Sequence, residues 1–557
     1  MALPFDISDR YVSDLAHAFA PLATMLGVPG LDDRWMDLSP GGRALVAEIH
    51  ASARDSMAPH LDHPDADQAL AAQVVHGYAK GRVEEFELGD VYRDLAHVSC
   101  SFEYFRDLFD LMDPTSVEGV EPIIERLDRV AGAYAGYREG LEHGIANGWV
   151  AAERQVRSVI SQAQALGGTG SAYHQLVARA VESAIPSAMV DRLARAVEIA
   201  RGEASQFSEW LATRYLPHAD VADGVGRERF VRRARAFLGA DLDVEETYAW
   251  GWSEIGALRA EMLRVGAQID PNASIPELAH RLETDPALAA HSLEEFLQFV
   301  GGRLDRALAE LDGAHFDVPP PIRSVDVKAG PAGAPPGAYY VDSSEDFSRP
   351  GTVYYSVGTR TSFPLYQEVS TAYHEGFPGH HLEIGIAKVN AARLSRAQRG
   401  LIWYPGFGEG WALYAERLMD ELGFFERPEY RFGYLASQLF RASRVVIDIG
   451  LHLGLLLDAG SPLEPGSAWS PELGAKFLRE VALQPPADAA SEVDRYLGWP
   501  AQAISYKVGE REILSIREEI RARDGASFDL KAFHSMVLSG GNLPLDVLRA
   551  RATGVRR

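Results

Sequence analysis

The segment "STAYHEGFPGHHLE", Ser370 to Glu383, constrains what this chain can fold into more than any other stretch. It sets the pair His374 and Glu375 ahead of two further histidines, His380 and His381. Histidines four apart on a helix share a face and can hold one ion, but here the fourth position after His374 is Pro378. A step of six, to His380, turns about −120° on a regular helix; a step of seven, to His381, restores the face but lies ~10 Å along the axis. Neither spacing converges on one ion unless the helix breaks. Pro378 lacks an N–H and clashes with the preceding turn, and Gly376 and Gly379 admit unusual backbone angles. The insert "GFPG" is therefore expected to bulge and let a helix restart with a histidine in register, as such bulges do at functional sites. His380 is the expected second ligand because "PGH" places it at the restart. His381, favoured by unbroken periodicity, is the alternative.

Two histidines need a third ligand, and "GFGEGWALYAERLMDELG" supplies Glu409 at the start of a helical run. Gly408 and Gly410 on either side are expected to leave room for the ion. Glu416, seven residues on, lies on the same face two turns away and is expected to orient a histidine. One Zn²⁺ ion is expected, because imidazoles suit it and the single cysteine, Cys100, cannot build a thiolate cluster within the chain.

Next to such an ion Glu375 stands where a general base would act on water. Tyr506, in "AISYKVGERE", and His452 are candidates to stabilise an oxyanion. Arg444, Asp448 and His452 are spaced four apart and share a helix face, either at the site or in a buried ion-pair network. Arg349 and Lys507 are candidates to bind a substrate carboxylate. The run "GTVYYSV", with Tyr354 and Tyr355, is a candidate edge strand for pairing with an extended peptide.

The rest of the chain reads mainly as helix. "EPIIERLDRVAGAYAGYREGLEHGIANG" and "PSAMVDRLARAVEIARGEASQFSEWLATRYL" carry apolar residues three and four apart, so each predicts a long amphipathic helix. Proline and glycine cluster after residue 317, and only "GAYYVD" and "GTVYYSV" read as strands. We expect a mainly helical region over 1–320 and a metal-binding region over 321–557, continuous with it, with a small β element beside the metal-binding helix. The formal charge of −25 argues against nucleic acid and anionic membranes as partners. The most apolar stretch, "VVIDIGLHLGLLL", has 13 residues and is too short to span a bilayer. The first residues show no basic leader followed by an apolar run, so a cytoplasmic location is expected.

Taken in order, "TAYHEGFPGHHLE", "GEGWALYAE", "RVVIDIGLH" and "RYLGWPAQAISYKVG" resemble the family called domain of unknown function 885. "YYVDSSEDFSRPGTVYYSV" and the closing "NLPLDVLRAR" are similar to it as well. The family is grouped with gluzincin metallopeptidases, and "EGWALYAE" is similar to the helix bearing the glutamate ligand in the carboxypeptidase Taq family. The resemblance implies a large helical body with a deep central groove, and it supports Glu409 as ligand. One departure is Ala501, in "GWPAQA", where the family usually has glycine. The function expected is zinc-dependent hydrolysis of amide bonds in short peptides. The alternatives are an amide hydrolase or tailoring enzyme for one small metabolite, and a metal-binding protein without turnover.

Overall fold

A computed structural model describes residues 2–183, 185–330, 337–344 and 347–554. It is mainly helical, with two small sheets. The chain divides into two compact units, Met1–Gly224 with Leu497–Trp499, and Val225–Tyr496 with Pro500–Arg557. The division falls at Val225, well before the change of texture near residue 320, because helices that precede the Pro/Gly-rich segment belong to the second unit.

The first unit is helical throughout its regular structure. The region expected as one helix over 121–148 is two, Val117–Asp128 and Val130–Asn147. Their buried residues, Val120, Ile123, Leu127, Val130, Tyr134, Tyr137 and Leu141, keep one helical spacing across the break, so periodicity reads both as one. The helix expected after Pro186 runs from Ser187 to Trp210. It brings Phe207 against Phe102, Tyr134 and Tyr137 in an aromatic core. Phe105 stacks on Tyr134 with centroids 4.2 Å apart.

The second unit is organised by six helices and a three-stranded sheet. In chain order these are α1 (Val244–Ile269), β1 (Val325–Ala329), β2 (Ala338–Val341), β3 (Gly351–Tyr355), α2 (Glu368–Glu375), α3 (His380–Val389), α4 (Pro405–Glu421), α5 (Pro428–Leu453) and α6 (Ser505–Asp524). The apolar stretch from Val445 opens in the buried C-terminal half of α5 and packs on α1, where Gly251 lies against Val445 and Val446. Among the described residues no helix is long and apolar enough to cross a membrane. Helices α4 and α6 touch backbone to backbone. A Cβ on Gly509 would stand 1.9 Å from the Gly406 oxygen and 2.8 Å from the Gly410 Cα.

Both expected strands are present, as β2 and β3, and a third, β1, joins them. The order is β1-β3-β2, with β3 parallel to β1 and antiparallel to β2. This corrects the reading of "GTVYYSV" as an edge strand: β3 is hydrogen-bonded on both sides, and β2 is an edge. The sheet meets the start of α3 at Gly351, where a Cβ would lie 2.9 Å from His381 Nδ1.

Candidate metal centre

The stretched motif folds as a helix, a bulge and a second helix. α2 ends at Glu375, residues 376–379 turn, and α3 begins at His380. The turn folds back so tightly that a Cβ on Gly379 would sit 1.9 Å from the His374 carbonyl oxygen. Only glycine fits there, and the fold-back carries His380 alongside His374, with ring centroids 4.9 Å apart and planes at 89°. The bulge is held by Trp411 of α4, whose Nε1–H donates to the Pro378 carbonyl at 3.0 Å.

Glu409 enters from the first turns of α4. Its Oε2 stands 3.4 Å from His374 Nε2 and 3.5 Å from His380 Nε2. One ligand atom from each of the three residues lies within 4.8 Å of the others. Two ligands held ~2.1 Å from a tetrahedral ion stand about 3.4 Å apart, and the two distances from Glu409 match that spacing. Glu409 Oε2 is buried and accepts no hydrogen bond, the state of an oxygen arranged for a cation. The flanking glycines have another task than giving an ion room: Gly410 rests on Gly509 of α6 and Gly408 on the Trp403 ring, so they seat the helix that carries Glu409.

Around the three residues is a polar support. Glu416 Oε1 lies 2.7 Å from His374 Nδ1. A carboxylate only accepts, so Nδ1 carries the proton and Nε2 is left to face the ion. Glu416 Oε2 accepts from Ser370 Oγ at 2.5 Å and Gln438 Nε2 at 3.3 Å. Lys507 Nζ donates to Gln438 Oε1 at 2.9 Å and also meets Glu254 and Glu510. Lys507 is fully buried in this network, which corrects its reading as a substrate ligand: its three acceptors are protein groups.

The imidazoles and carboxylates of the site act strongly on one another. Burial opposes ionisation of Glu409, yet the two imidazoles hold its carboxyl well below the usual range. Burial would lower His374, but Glu409 and Glu416 raise it to about 10. Burial pushes the Glu375 carboxyl up, with His374 and His380 opposing, which suits a group that takes and returns a proton.

These residues line a cavity of about 670 Å³ together with Tyr339 and Tyr340 of β2, Arg441 and Arg444 of α5, and Tyr506 of α6. Tyr506 is half-buried, with the Arg444 guanidinium 4.8 Å from its ring centre. Several other expected residues stand elsewhere. His381 bonds the Ile322 carbonyl through Nε2 and faces the Tyr340 hydroxyl through Nδ1, so its ring belongs to the packing beneath the sheet. His452 is a correction. It is buried in the second unit's core, accepts from the Val225 N–H, lies 3.0 Å from the Tyr496 carbonyl, and is lowered to about 4 by burial. Asp448 is a correction too: it is fully buried 3.4 Å from His452, away from the cavity lining, and burial pushes its carboxyl well up. Arg349 is exposed and outside the lining. Tyr354 stacks on Tyr339, and Tyr355 is buried against Phe296, so neither lines the cavity.

Gln438 and Arg441 are the neighbours that sequence reading missed. They extend the stripe of Arg444, Asp448 and His452 one turn and more toward the start of α5. Polar residues three and four apart on an otherwise apolar helix are the available signal, and Arg444, which lines the cavity, is the member of the stripe nearest to them.

The sequence profile of a bacterial protein family of unknown function, DUF885, matches residues 21–551. Among curated proteins none matches the sequence. Solved structures share the fold, among them the following two. One, a "putative lipoprotein" from Colwellia psychrerythraea, has 24% identity and a TM-score of 0.85, over 99% of this chain and 98% of that one. The other, a "putative lipoprotein of unknown function" from Shewanella oneidensis, has 17% identity and a TM-score of 0.75, over 99% of each chain.

Proposed function

This chain belongs to the DUF885 family, and from that premise we propose that it is a zinc-dependent hydrolase of amide bonds acting on short peptides. The observation that carries the reading is the convergence of His374, His380 and Glu409 beside Glu375 in one cavity. Two imidazoles and a carboxylate, with one imidazole oriented by a second carboxylate, is a donor set suited to zinc with a position left open. When bound there the ion supplies Lewis acidity, polarising a carbonyl and making water nucleophilic near neutral pH.

The remaining work falls to side chains. Glu375, with its carboxyl raised by burial, takes the proton of the attacking water and returns it to the leaving amine. Tyr506 lines the same cavity and can donate its O–H to the developing oxyanion. Strand β2, an edge of the sheet among the described residues, borders the cavity through Ala338, Tyr339 and Tyr340, and a sheet edge beside a site is where an extended peptide can add. A volume near 670 Å³ is in the range of small-ligand sites, roughly 300–1,000 Å³, and favours short substrates over folded proteins. The relation to gluzincins and to the carboxypeptidase Taq family is part of this proposal. The two similar structures named as lipoproteins bear on location, since a lipid-anchored protein works at a membrane surface. Cell fractionation decides between that and the cytoplasm.

The test pairs metal analysis with Glu375→Gln. Protein purified without added metal should hold about one equivalent of zinc. The variant should keep the metal and lose roughly 100- to 10,000-fold in peptide hydrolysis. Protein far below one equivalent, with no activity restored by zinc, or a fully active variant, would sink the proposal.

A further inference from the structure

Arg441 is a cavity cation that no described carboxylate ion-pairs, although it acts through space on Glu375, which lines the same cavity. Its neighbours Arg444 and Arg495 both bind Glu492, at 3.0 and 2.9 Å. Arg441 instead lies over the rings of Phe440 and Tyr506, with centroid distances of 5.0 and 5.9 Å, and its Nε is buried without a hydrogen bond. Among the described residues no carboxylate stands within ion-pairing distance of it. A half-buried guanidinium loses hydration, and that loss is offset when an anion completes its hydrogen bonds. The flat faces of Phe440 and Tyr506 hold the fork in place, so little side-chain entropy remains to be lost on binding.

Arg441 also lines a recess of about 140 Å³ with His374, Glu375, Thr371 and Gln484. Arg441 and Glu375 thus line one recess, so an anion held by Arg441 lies near the Glu375 carboxyl.

We propose that Arg441 is the subsite for a substrate carboxylate, and that the bond cut is the amide preceding a C-terminal residue. The inference rests on the hydrolase reading above and adds the substrate class: short peptides or N-acyl amino acids with a free terminal carboxylate. Water adds across the amide, its hydroxyl going to the carbonyl carbon and its proton to the nitrogen. An amino acid with a free amine leaves, its carboxylate held by the Arg441 fork through parallel charge-assisted hydrogen bonds.

The test compares N-acetyl-alanyl-alanine with its C-terminal amide on the zinc-loaded full chain. The free acid should be cut with kcat/KM about 10- to 100-fold above the amide, the range for hydrogen bonds to a charged group. In Arg441→Gln that ratio should fall to near one through a raised KM for the acid. Arg441→Lys, which keeps a charge without the fork, should give an intermediate ratio. Zinc content and melting temperature confirm that each variant is folded. A second measurement does not need turnover: calorimetric titration of both compounds into zinc-loaded Glu375→Gln should show the acid binding at least ~10-fold tighter. Adding Arg441→Gln should erase that preference. Equal cutting of acid and amide by the wild type overturns the carboxylate subsite and leaves the hydrolase reading standing. No cutting of either, with the binding preference intact, overturns the hydrolase reading and leaves the subsite. No preference in the titration, including no binding of either compound, overturns the subsite.

Discussion

At the scale of single residues the decisive pair is His380 and His381. They are adjacent and both buried, yet their rings have different surroundings. His380 Nε2 faces Glu409 at 3.5 Å, whereas His381 is tied to the Ile322 carbonyl and the Tyr340 hydroxyl. His380→Ala should abolish zinc retention. His381→Ala should keep zinc and weaken packing between α3 and the sheet, lowering the melting temperature. Metal analysis of the two purified variants checks this, and zinc lost only from the His381 variant would reverse the assignment. Periodicity favoured His381 because it presumes an unbroken helix. The fold-back at Gly379 cancels that presumption.

Among elements, the α4–α6 crossing decides where the third ligand stands. Gly406 and Gly410 on one helix and Gly509 on the other let the two backbones touch, and Glu409 sits between the first two. A methyl group at 509 must push the helices apart, because what it meets is backbone rather than a flexible side chain. Gly509→Ala should cost about 1–3 kcal/mol of stability or more by overpacking. It should also weaken zinc binding, since the helix that moves carries a ligand. Denaturant unfolding and zinc titration read the two effects. A variant with unchanged zinc affinity would show that the crossing does not seat Glu409. Just before α6, Ala501 adopts φ 67°, in the left-handed region where a Cβ costs about 1–2 kcal/mol. That is the physical reason a glycine would suit this place, and this chain holds alanine there at some strain.

For the molecule as a whole, the candidate ligands come from α2, α3 and α4 of the second unit, and the first unit has its own aromatic core around Phe105, Tyr134 and Phe207. An ion that binds only the folded state stabilises it by mass action, about 4 kcal/mol at a thousand times Kd. Chelation should therefore lower the melting temperature. In hydrogen exchange, protection should fall over residues 368–389 and 405–421, while the helices around the first unit's aromatic core keep theirs. Uniform loss of protection over the chain, or none, would separate the ion from the folding of these three helices.

Much of this was legible from the residues. Periodicity located the helices, Pro378 between two glycines announced a break, and the order of His374, His380 and Glu409 named a ligand set that the fold draws together. Those are local properties, set by backbone sterics and by the chemistry of each side chain. What periodicity could not provide is the facing of residues brought close by packing from distant segments. It could not tell that Lys507 is consumed by Glu254, Gln438 and Glu510, or that β3 has a partner on both sides. Nor could it tell that His452 and Asp448 lie in the core while Arg444, on the same stripe, lines the cavity. A polar stripe on a helix states only that something polar is needed on that side. Whether a neighbouring helix, a strand or an open cavity meets it depends on contacts between residues far apart in the chain, and those exist only once the helices have packed.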